Sequence, residues 1–348
     1  MQNKKKWVLD IAFLIVVIVA TIYGVFHDQD LSQIKSYLTQ ADVRWWYVGA
    51  VIVLLYIVCE SCIFYYAMKP LEKSLCAVHC LFYSFIGFFF TLITPFGIGG
   101  QPAQVVAMKK DNISIAVSVP VLIVVTITFK AVLIVYGLFV LLIRPAGLIT
   151  LLQPVIGWCW LGLALNVLFV TFLFLMIFKP ILIERPALAL VRWYAGKKHP
   201  EKAAAWGEWV QDGICRYSSV AGYFKAHRSI IYSVFAITFV QRSLLFFVTY
   251  LAYRSFGLGA AGAPTVVTLQ AMISVAVEML PLPGGMGITE SMFLKIFSPI
   301  CAGGATLPVL IVSRGISYYA QLIISALFTA FAPLVIGRKR GLQHDRVL

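Results

Sequence analysis

Charged residues are scarce in this sequence: Asp, Glu, Lys and Arg make up 12% of its 348 residues. Soluble globular proteins use about 25%, so a chain that folds mainly in water is excluded. Acidic residues are scarcer than basic ones, 14 against 28, and the formal net charge is +14. Hydrophobic residues make up 61% of the chain. This composition predicts an all-α polytopic integral membrane protein whose main solvent is lipid.

The sequence also lacks the common motifs of catalytic, metal and nucleotide sites. Its five histidines form neither H-x-x-x-H nor H-E-x-x-H, and neither G-x-S-x-G nor a Walker A sequence occurs. Seven cysteines, an odd number mostly in or beside apolar segments, argue against a disulfide framework. Cys76, His79 and Cys80 have no second ligand pair at zinc spacing, so helix packing is favoured over metal binding. We therefore predict no catalytic residue, metal or cofactor.

Apolar runs of the roughly 20 residues needed to cross a bilayer are abundant. They predict six transmembrane helices: Trp7–Phe26, Trp45–Ala67, Val119–Ile143, Val155–Phe178, Ile230–Leu251 and Leu307–Ile336. The first run follows three lysines, as a signal peptide would. Its length and the lack of a small-residue cleavage site favour a retained helix.

The positions of the basic residues predict the orientation in the membrane. With a cytoplasmic N-terminus, the positive-inside rule is met, because the termini and the segment 179–228 carry most of the Lys and Arg. Both termini are then cytoplasmic. The excess of positive charge needs no nucleic acid partner.

Two apolar segments are interrupted by proline and glycine at membrane depth. The segment 80–110 is broken by Pro95, Gly97, Gly99, Gly100 and Pro102, and the segment 264–297 by Pro281, Pro283, Gly284, Gly285 and Gly287. Backbone groups freed at such breaks cannot face lipid, so they must be buried in protein or line a polar cavity. The flanking charges predict two re-entrant hairpins, the first entering from the cytoplasmic side and the second from the outside.

The two hairpins suggest an inverted repeat of two membrane halves, 1–178 and 229–348, joined by a cytoplasmic amphipathic linker, 179–228. Lys130 follows Gly100 by 30 residues, and Arg314 follows Gly284 by the same number. The alternative is coincidence, because proline and glycine are common in membrane helices.

Ionisable side chains within the predicted helices are costly in lipid and are candidates for function. They are Glu60, Lys130, Arg242, Glu278, Glu290 and Arg314. These three acids and three bases could simply pair and hold the helices together. They could also bind a lipid headgroup, with a base meeting the phosphate and an acid meeting an amine. Gln101, Gln104 and the backbone N–H groups after Gly100 and Gly285 would add hydrogen bonds.

The motifs TPFGIGGQPAQ and LPLPGGMGITE, each followed by a long apolar helix, resemble a known family. They are similar to the membrane domain of the lysylphosphatidylglycerol synthase/flippase proteins, the multiple peptide resistance factor family. The resemblance extends over essentially the whole chain and is most specific at residues 97–104 and 281–290. Members with both activities join a membrane flippase domain to a soluble domain that transfers an aminoacyl group to phosphatidylglycerol. We expect this chain to be a standalone form without that soluble domain.

The resemblance implies a flippase for lysyl-phosphatidylglycerol or a related aminoacylated or anionic phospholipid. Its activity would lower the negative charge of the outer leaflet and so confer resistance to cationic antimicrobial peptides. Three alternatives stay open: phosphatidylglycerol lysyltransferase activity, translocation of a polyprenyl-linked glycolipid, and a structural membrane subunit. The expected partners are phosphatidylglycerol and its aminoacyl derivatives. A homodimer and a separate lipid aminoacyltransferase are further partners that the resemblance allows.

Overall fold

A computed structural model of the chain describes residues 36, 38–71, 75–94, 97–179, 211, 215, 218–280, 285–301 and 304–337. Every regular element in these ranges is helical, which confirms the all-α prediction. Five helical stretches are long and apolar enough to cross a membrane: Arg44–Met68, Ile115–Ile143, Leu148–Ile177, Arg228–Ser255 and Thr306–Leu334. They correspond to the second to sixth predicted helices, and the first, Trp7–Phe26, lies outside the described residues.

Eleven α-helices have both ends among the described residues, and they are numbered here in chain order. They are α1 (Arg44–Met68), α2 (Ala77–Ile93), α3 (Gly100–Lys110), α4 (Ile115–Ile143), α5 (Leu148–Leu152), α6 (Ile156–Phe178), α7 (Arg228–Ser255), α8 (Ala263–Val277), α9 (Ile288–Phe297), α10 (Thr306–Arg314) and α11 (Gln321–Phe331). The helices α2 and α3 form the first hairpin, and α8 and α9 form the second.

Several helices begin with a proline in their first turn, where a missing N–H costs no hydrogen bond. Pro102 lies in the first turn of α3, Pro264 in that of α8 and Pro308 in that of α10. Pro102 therefore starts the second helix of the first hairpin. The interruption itself precedes it, between Ile93 and Gly100.

The first hairpin opens at one end of the helix bundle. The backbone N–H of Gly337, just after the last membrane helix, donates to Oδ1 of Asp111 at 2.8 Å. Met68, Ile113 and Ile230 pack in one buried cluster at this level. The end of α1, the end of α3, the start of α7 and the chain after α11 therefore lie together, at what we call the Asp111 end.

The second hairpin opens at the other end of the bundle. Near the end of α7, the Tyr253 hydroxyl donates to the carbonyl of Ile300 and accepts the N–H of Ala261, both at 3.2 Å. The N–H of Asp42 donates to the carbonyl of Ser255 at 2.8 Å, which brings the start of α1 to the same place. We call this the Tyr253 end. The hairpins thus open at opposite ends of the bundle, whereas their re-entry from opposite membrane faces stays a prediction, as do the two-half division and the inverted repeat.

Within the predicted linker, the described residues 218–226 are helical and bury Val220, Ala221 and Phe224. These side chains join the buried cluster at the Asp111 end. Most of the segment 179–228 lies outside the described residues, and its amphipathic, cytoplasmic character stays a prediction.

The last membrane helix is not a continuous α-helix. Between α10 and α11, the residues Gly315–Ala320 form a π-helical segment, a wider turn that requires one additional residue. Beyond it, Phe328 stacks on Phe85 of α2 with ring centroids 4.2 Å apart.

The helices α6 and α8 approach each other closely at Gly162. A Cβ atom built on Gly162 would lie 2.6 Å from the Cα of Ala276, closer than real Cβ contacts come. Small residues allow this kind of contact between membrane helices. Elsewhere α6 is peripheral, with Leu168 and Phe172 more than half exposed at 68% and 56%. A membrane would cover this apolar face.

Candidate functional site

A cavity of about 370 Å³ lies between the two helix breaks. The first break contributes Gly97, Ile98 and Gln101 to its wall, and the second contributes Glu278, Leu280 and Gly285. Of the six predicted intramembrane charges, five line it: Glu60, Lys130, Glu278, Arg242 and Arg314. The fold thus brings into one place residues that are up to 254 positions apart in the sequence.

One carboxylate in the cavity is shared by two cations. Glu278, which directly follows α8, accepts from Lys130 Nζ of α4 through Oε2 at 3.0 Å. Its Oε1 accepts from Arg242 Nη2 of α7. The Arg242 guanidinium also lies 4.1 Å from the ring centroid of Phe129, a cation–π arrangement. Two positive charges on one negative charge leave this cluster with an excess of one positive charge.

Arg314 and Glu290 form a second ion pair, 2.7 Å between Nε and Oε1. The other carboxylate oxygen of Glu290 accepts the N–H of Gly287 at 2.6 Å and so caps α9. Glu290 is 7% exposed and is not among the residues that line the cavity. Its observed contacts are those of a helix cap and an ion-pair partner. The N–H expected to bind an anion after Gly285 is thus already occupied at Gly287.

Glu60 differs from the other two carboxylates because its partner is neutral. Its Oε2 accepts from Nε2 of Gln241 on α7 at 2.9 Å, and the same amide donates to the carbonyl of Tyr56 at 3.1 Å. Among the described residues, no Lys, Arg or His nitrogen forms a salt bridge with Glu60. The side chain is 8% exposed and lies on the cavity wall.

Side chains from neighbouring helices satisfy carbonyl groups near both breaks. The carbonyl of Leu92, near the end of α2, accepts from the Tyr318 hydroxyl at 2.9 Å. The carbonyl of Val275, near the end of α8, accepts from Nδ2 of Asn166 at 3.2 Å. Asn166 is fully buried. A helix that stops inside an apolar bundle needs such partners, because its last carbonyls have none of their own.

The two breaks agree in backbone geometry at one glycine and differ at the residue just before the helix, where φ is −73° at Gly99 and 84° at Gly287. Gly97 and Gly285 have positive φ angles of 65° and 66°, and a helix begins three residues after each, at Gly100 and Ile288. Only glycine adopts this conformation without strain. Counted from these two glycines, Arg314 comes about four residues, or one helical turn, earlier than Lys130. The equal 30-residue spacings therefore do not place the two bases at equivalent positions.

The remaining predicted site residues have clear positions. Gln101, which is exposed, hydrogen-bonds Thr126 of α4, and the buried Gln104 donates from Nε2 to the carbonyl of Tyr83 at 3.2 Å. The N–H of Gly99 donates to Oγ1 of Thr94 at 3.0 Å. Pro95, Pro281, Pro283 and Gly284 lie outside the described residues.

Several polar residues of the cavity wall were not predicted from the sequence. Tyr56, Thr91, Thr126, Gln270 and Ser274 line it, and Gln241 and Asn166 hold neighbouring groups in place. A single neutral polar residue in an apolar helix is common and gives no signal. Two of these residues could have been found from their place in the sequence, since each is close to a predicted intramembrane charge. Gln241 is next to Arg242, and Ser274 is one helical turn before Glu278.

The described residues contain no cluster of three His, Cys, Asp or Glu side chains able to hold a metal ion. His79, which was considered with Cys76 and Cys80, instead places Nδ1 2.7 Å from Oδ2 of Asp111. In the loop after α9, burial raises the pKa of the Cys301 thiol to about 11. That thiol is therefore a packing group with almost no thiolate at neutral pH.

The five apolar membrane helices define a polytopic membrane protein. Its two helix breaks meet at a cavity whose wall carries three bases and two carboxylates. The family model described as "Lysylphosphatidylglycerol synthase TM region" matches residues 7–325. The chain therefore belongs to this family, as the two glycine-rich motifs indicated. No curated protein matches the chain.

Proposed function

We propose that this chain is a phospholipid translocase that moves lysyl-phosphatidylglycerol, or a related aminoacylated or anionic phospholipid, between the leaflets of the bacterial plasma membrane. The observation that carries the proposal is the sharing of Glu278 by Lys130 and Arg242 inside the cavity. A lipid phosphate there would meet two cations of which only one is neutralised. Phosphate is bound most strongly by such charge-assisted hydrogen bonds.

The size and rim of the cavity suit a headgroup with its acyl tails outside. About 370 Å³ is at the lower end of ligand-pocket volumes, which run from roughly 300 to 1,000 Å³. Ile98, on the cavity wall, is 67% exposed, and the partly buried Phe169 lines the wall from α6. An apolar rim of this kind allows tails to remain in lipid while the headgroup crosses.

Carboxylates on the same wall would receive the amines of an aminoacylated headgroup. Glu60 and Glu278 both line the cavity, and among the described residues Glu60 forms no salt bridge. Membership of the lysylphosphatidylglycerol synthase family supports a lipid of this kind. Outward movement of such a lipid would make the outer surface less negative and would reduce the binding of cationic peptides.

The test is a leaflet-accessibility assay in liposomes that contain the purified chain and a fluorescent phosphatidylglycerol. Lys130→Gln and Arg242→Gln each leave Glu278 with one cation, so the cluster stays charge-balanced and the fold should survive. Each removes the excess positive charge, and transport should fall roughly 10- to 100-fold, the value of one charge-assisted hydrogen bond. Lys295→Gln and Arg144→Gln, at exposed bases, are the matched controls and should leave the rate unchanged.

Wild-type transport no faster than in empty liposomes would refute the proposal. A structural subunit makes a different prediction: the two cavity variants would lower the melting temperature and would leave any transport at the wild-type rate. Measurement of the melting temperature on the same samples separates the two functions.

A further inference from the structure

Glu60 differs from the other two carboxylates near the cavity because it forms no salt bridge among the described residues. Glu278 and Glu290 each contact at least one cation within 4 Å, whereas the described contact of the Glu60 carboxylate is the neutral amide of Gln241. The side chain is in the second half of α1, 16 residues after its first residue and 8 before its last, so it lies well inside the helix. A nearby positive charge lets a carboxylate at this depth stay ionised. Without one, the protonated form, which needs only hydrogen bonds, is favoured.

One of the two bases that would bind the lipid phosphate also acts on Glu60. Arg242 directly follows the Gln241 that holds Glu60, and Arg242 and Glu60 interact electrostatically. Around them, α1 contributes the phenol of Tyr56 and the thiol of Cys59, α4 contributes Lys130, and Glu278 follows α8. On the cavity wall α2 contributes no titratable side chain, and the last membrane helix contributes Arg314 and Tyr318.

Charge balance couples the protonation of Glu60 to the binding of a headgroup at Lys130 and Arg242. In an empty cavity, the excess positive charge of the Lys130, Arg242 and Glu278 cluster is balanced when Glu60 is ionised. An anionic headgroup on the two bases supplies that negative charge instead, and Glu60 is then neutral only if it takes up a proton. With the phosphate and Glu278 neutralising the two bases, an ionised Glu60 would be an uncompensated negative charge inside an apolar helix bundle, which is strongly disfavoured.

We infer that Glu60 is a proton-binding site and that one proton enters with each anionic headgroup that binds at Lys130 and Arg242. This inference rests on the proposed function, because it requires a headgroup in this cavity. The proton transfers to a carboxylate oxygen of Glu60 from solvent, so no bond of the lipid changes. Joint movement of one negative headgroup and one proton is electrically neutral, so the membrane potential then does no work on the step.

Lipids whose headgroups differ in charge should differ in the proton uptake that accompanies their binding. Phosphatidylglycerol has a phosphate and no amine, so its binding requires the proton. Phosphatidylethanolamine has an ammonium beside its phosphate, and this cation balances Glu60 directly. The first lipid should bind with proton uptake and the second without it.

The experiment is calorimetric titration of the purified chain with dihexanoyl phosphatidylglycerol, in two buffers of different ionisation enthalpy. The difference in heat gives the protons taken up per lipid bound. We expect close to one proton for the wild type at a pH where empty Glu60 is ionised, and a Kd that rises up to tenfold per pH unit. When dihexanoyl phosphatidylethanolamine binds, the protein should take up no proton. Glycerophosphoglycerol, the headgroup without tails, shows whether a free phosphodiester suffices.

Glu60→Gln imitates the protonated carboxyl, so this variant should bind phosphatidylglycerol without proton uptake and with a Kd independent of pH. Asp42→Asn, at an exposed carboxylate that does not line the cavity, is the control and should keep the uptake. If Glu60→Gln does not fold, infrared difference spectra of the wild type serve instead. The stretch of a protonated carboxyl should appear when the lipid binds, and its absence would overturn the inference.

Lipid binding without proton uptake by the wild type would overturn the proton site and leave the headgroup site standing. Undiminished uptake in Glu60→Gln would do the same, since another group would then be the acceptor. No binding of any of the lipids by the wild type would overturn both proposals.

Discussion

Asp111 and Gly337 are 226 positions apart, and the N–H of Gly337 donates to Oδ1 of Asp111 at 2.8 Å. The other carboxylate oxygen, Oδ2, accepts from the Tyr83 hydroxyl at 2.5 Å and lies 2.7 Å from Nδ1 of His79. One side chain therefore connects both helices of the first hairpin to the end of the last membrane helix.

Replacement of Asp111 by alanine should lower the stability of the protein. The Tyr83 hydroxyl, on a buried residue, loses its acceptor, and a buried donor left unpaired costs about 1–3 kcal/mol. The exposed Gly337 N–H can bind water instead, so its loss contributes less. Asp111→Asn keeps one acceptor oxygen and should be intermediate. The measurement is the melting temperature in detergent. Asp42→Asn, at an exposed carboxylate of the Tyr253 end that bonds only the nearby N–H of Arg44, is the control. A melting temperature of Asp111→Ala equal to that of the control would contradict the contact.

Glu290 and Arg314 should show strong energetic coupling. Loss of one partner of a buried ion pair leaves an uncompensated charge and costs about 3–5 kcal/mol, whereas loss of both costs much less. Glu290→Gln keeps an oxygen that accepts the Gly287 N–H, so this variant removes the charge and leaves the helix cap in place. Glu290→Ala removes both and should lose more stability. The free energy of unfolding in mixed micelles is measured for Glu290→Gln, Arg314→Gln and the double variant. Additive losses in the double variant would show that the pair does not stabilise the last membrane helix against α9.

Gly162→Ala should disrupt the contact between α6 and α8. The added methyl group would meet the backbone of Val275 and Ala276, which cannot move away as a flexible side chain could. Separation of the helices would also lengthen the bond from Asn166 to Val275, so we expect a loss of at least about 2 kcal/mol. Gly157→Ala, on the same helix with nothing within 4 Å of the new Cβ, should be neutral or up to about 1 kcal/mol stabilising. Equal melting temperatures for the two variants would contradict the close approach.

The membrane helices and the helix breaks could be predicted from the sequence because both are local properties. A run of apolar residues crosses lipid whatever surrounds it, and a positive φ at Gly97 or Gly285 needs a residue without Cβ. The helix ends agree to within a few residues: α7, for example, is Arg228–Ser255, against a predicted Ile230–Leu251.

The pairing of the charges could not be predicted, because it depends on which helices are neighbours. Lys130 and Glu278 are 148 positions apart. With three acids and three bases, the sequence allowed every combination. The structure gives Glu278 two cations, gives Glu290 one and gives Glu60 an amide. Asn166 was missed for the same reason, since its importance depends on a carbonyl at the end of another helix.

The π-helical segment Gly315–Ala320 sets the direction of everything that follows it in the last membrane helix. One additional residue in a turn rotates all later side chains by about 100° relative to an uninterrupted α-helix. The stacking of Phe328 on Phe85 therefore depends on a residue count two turns earlier. Conversion of this segment to regular α-helix, without loss of a residue, would turn Phe328 away from α2 while Arg314 stayed in place. The segment thus determines how the far half of the helix is rotated about its axis relative to the charged cavity.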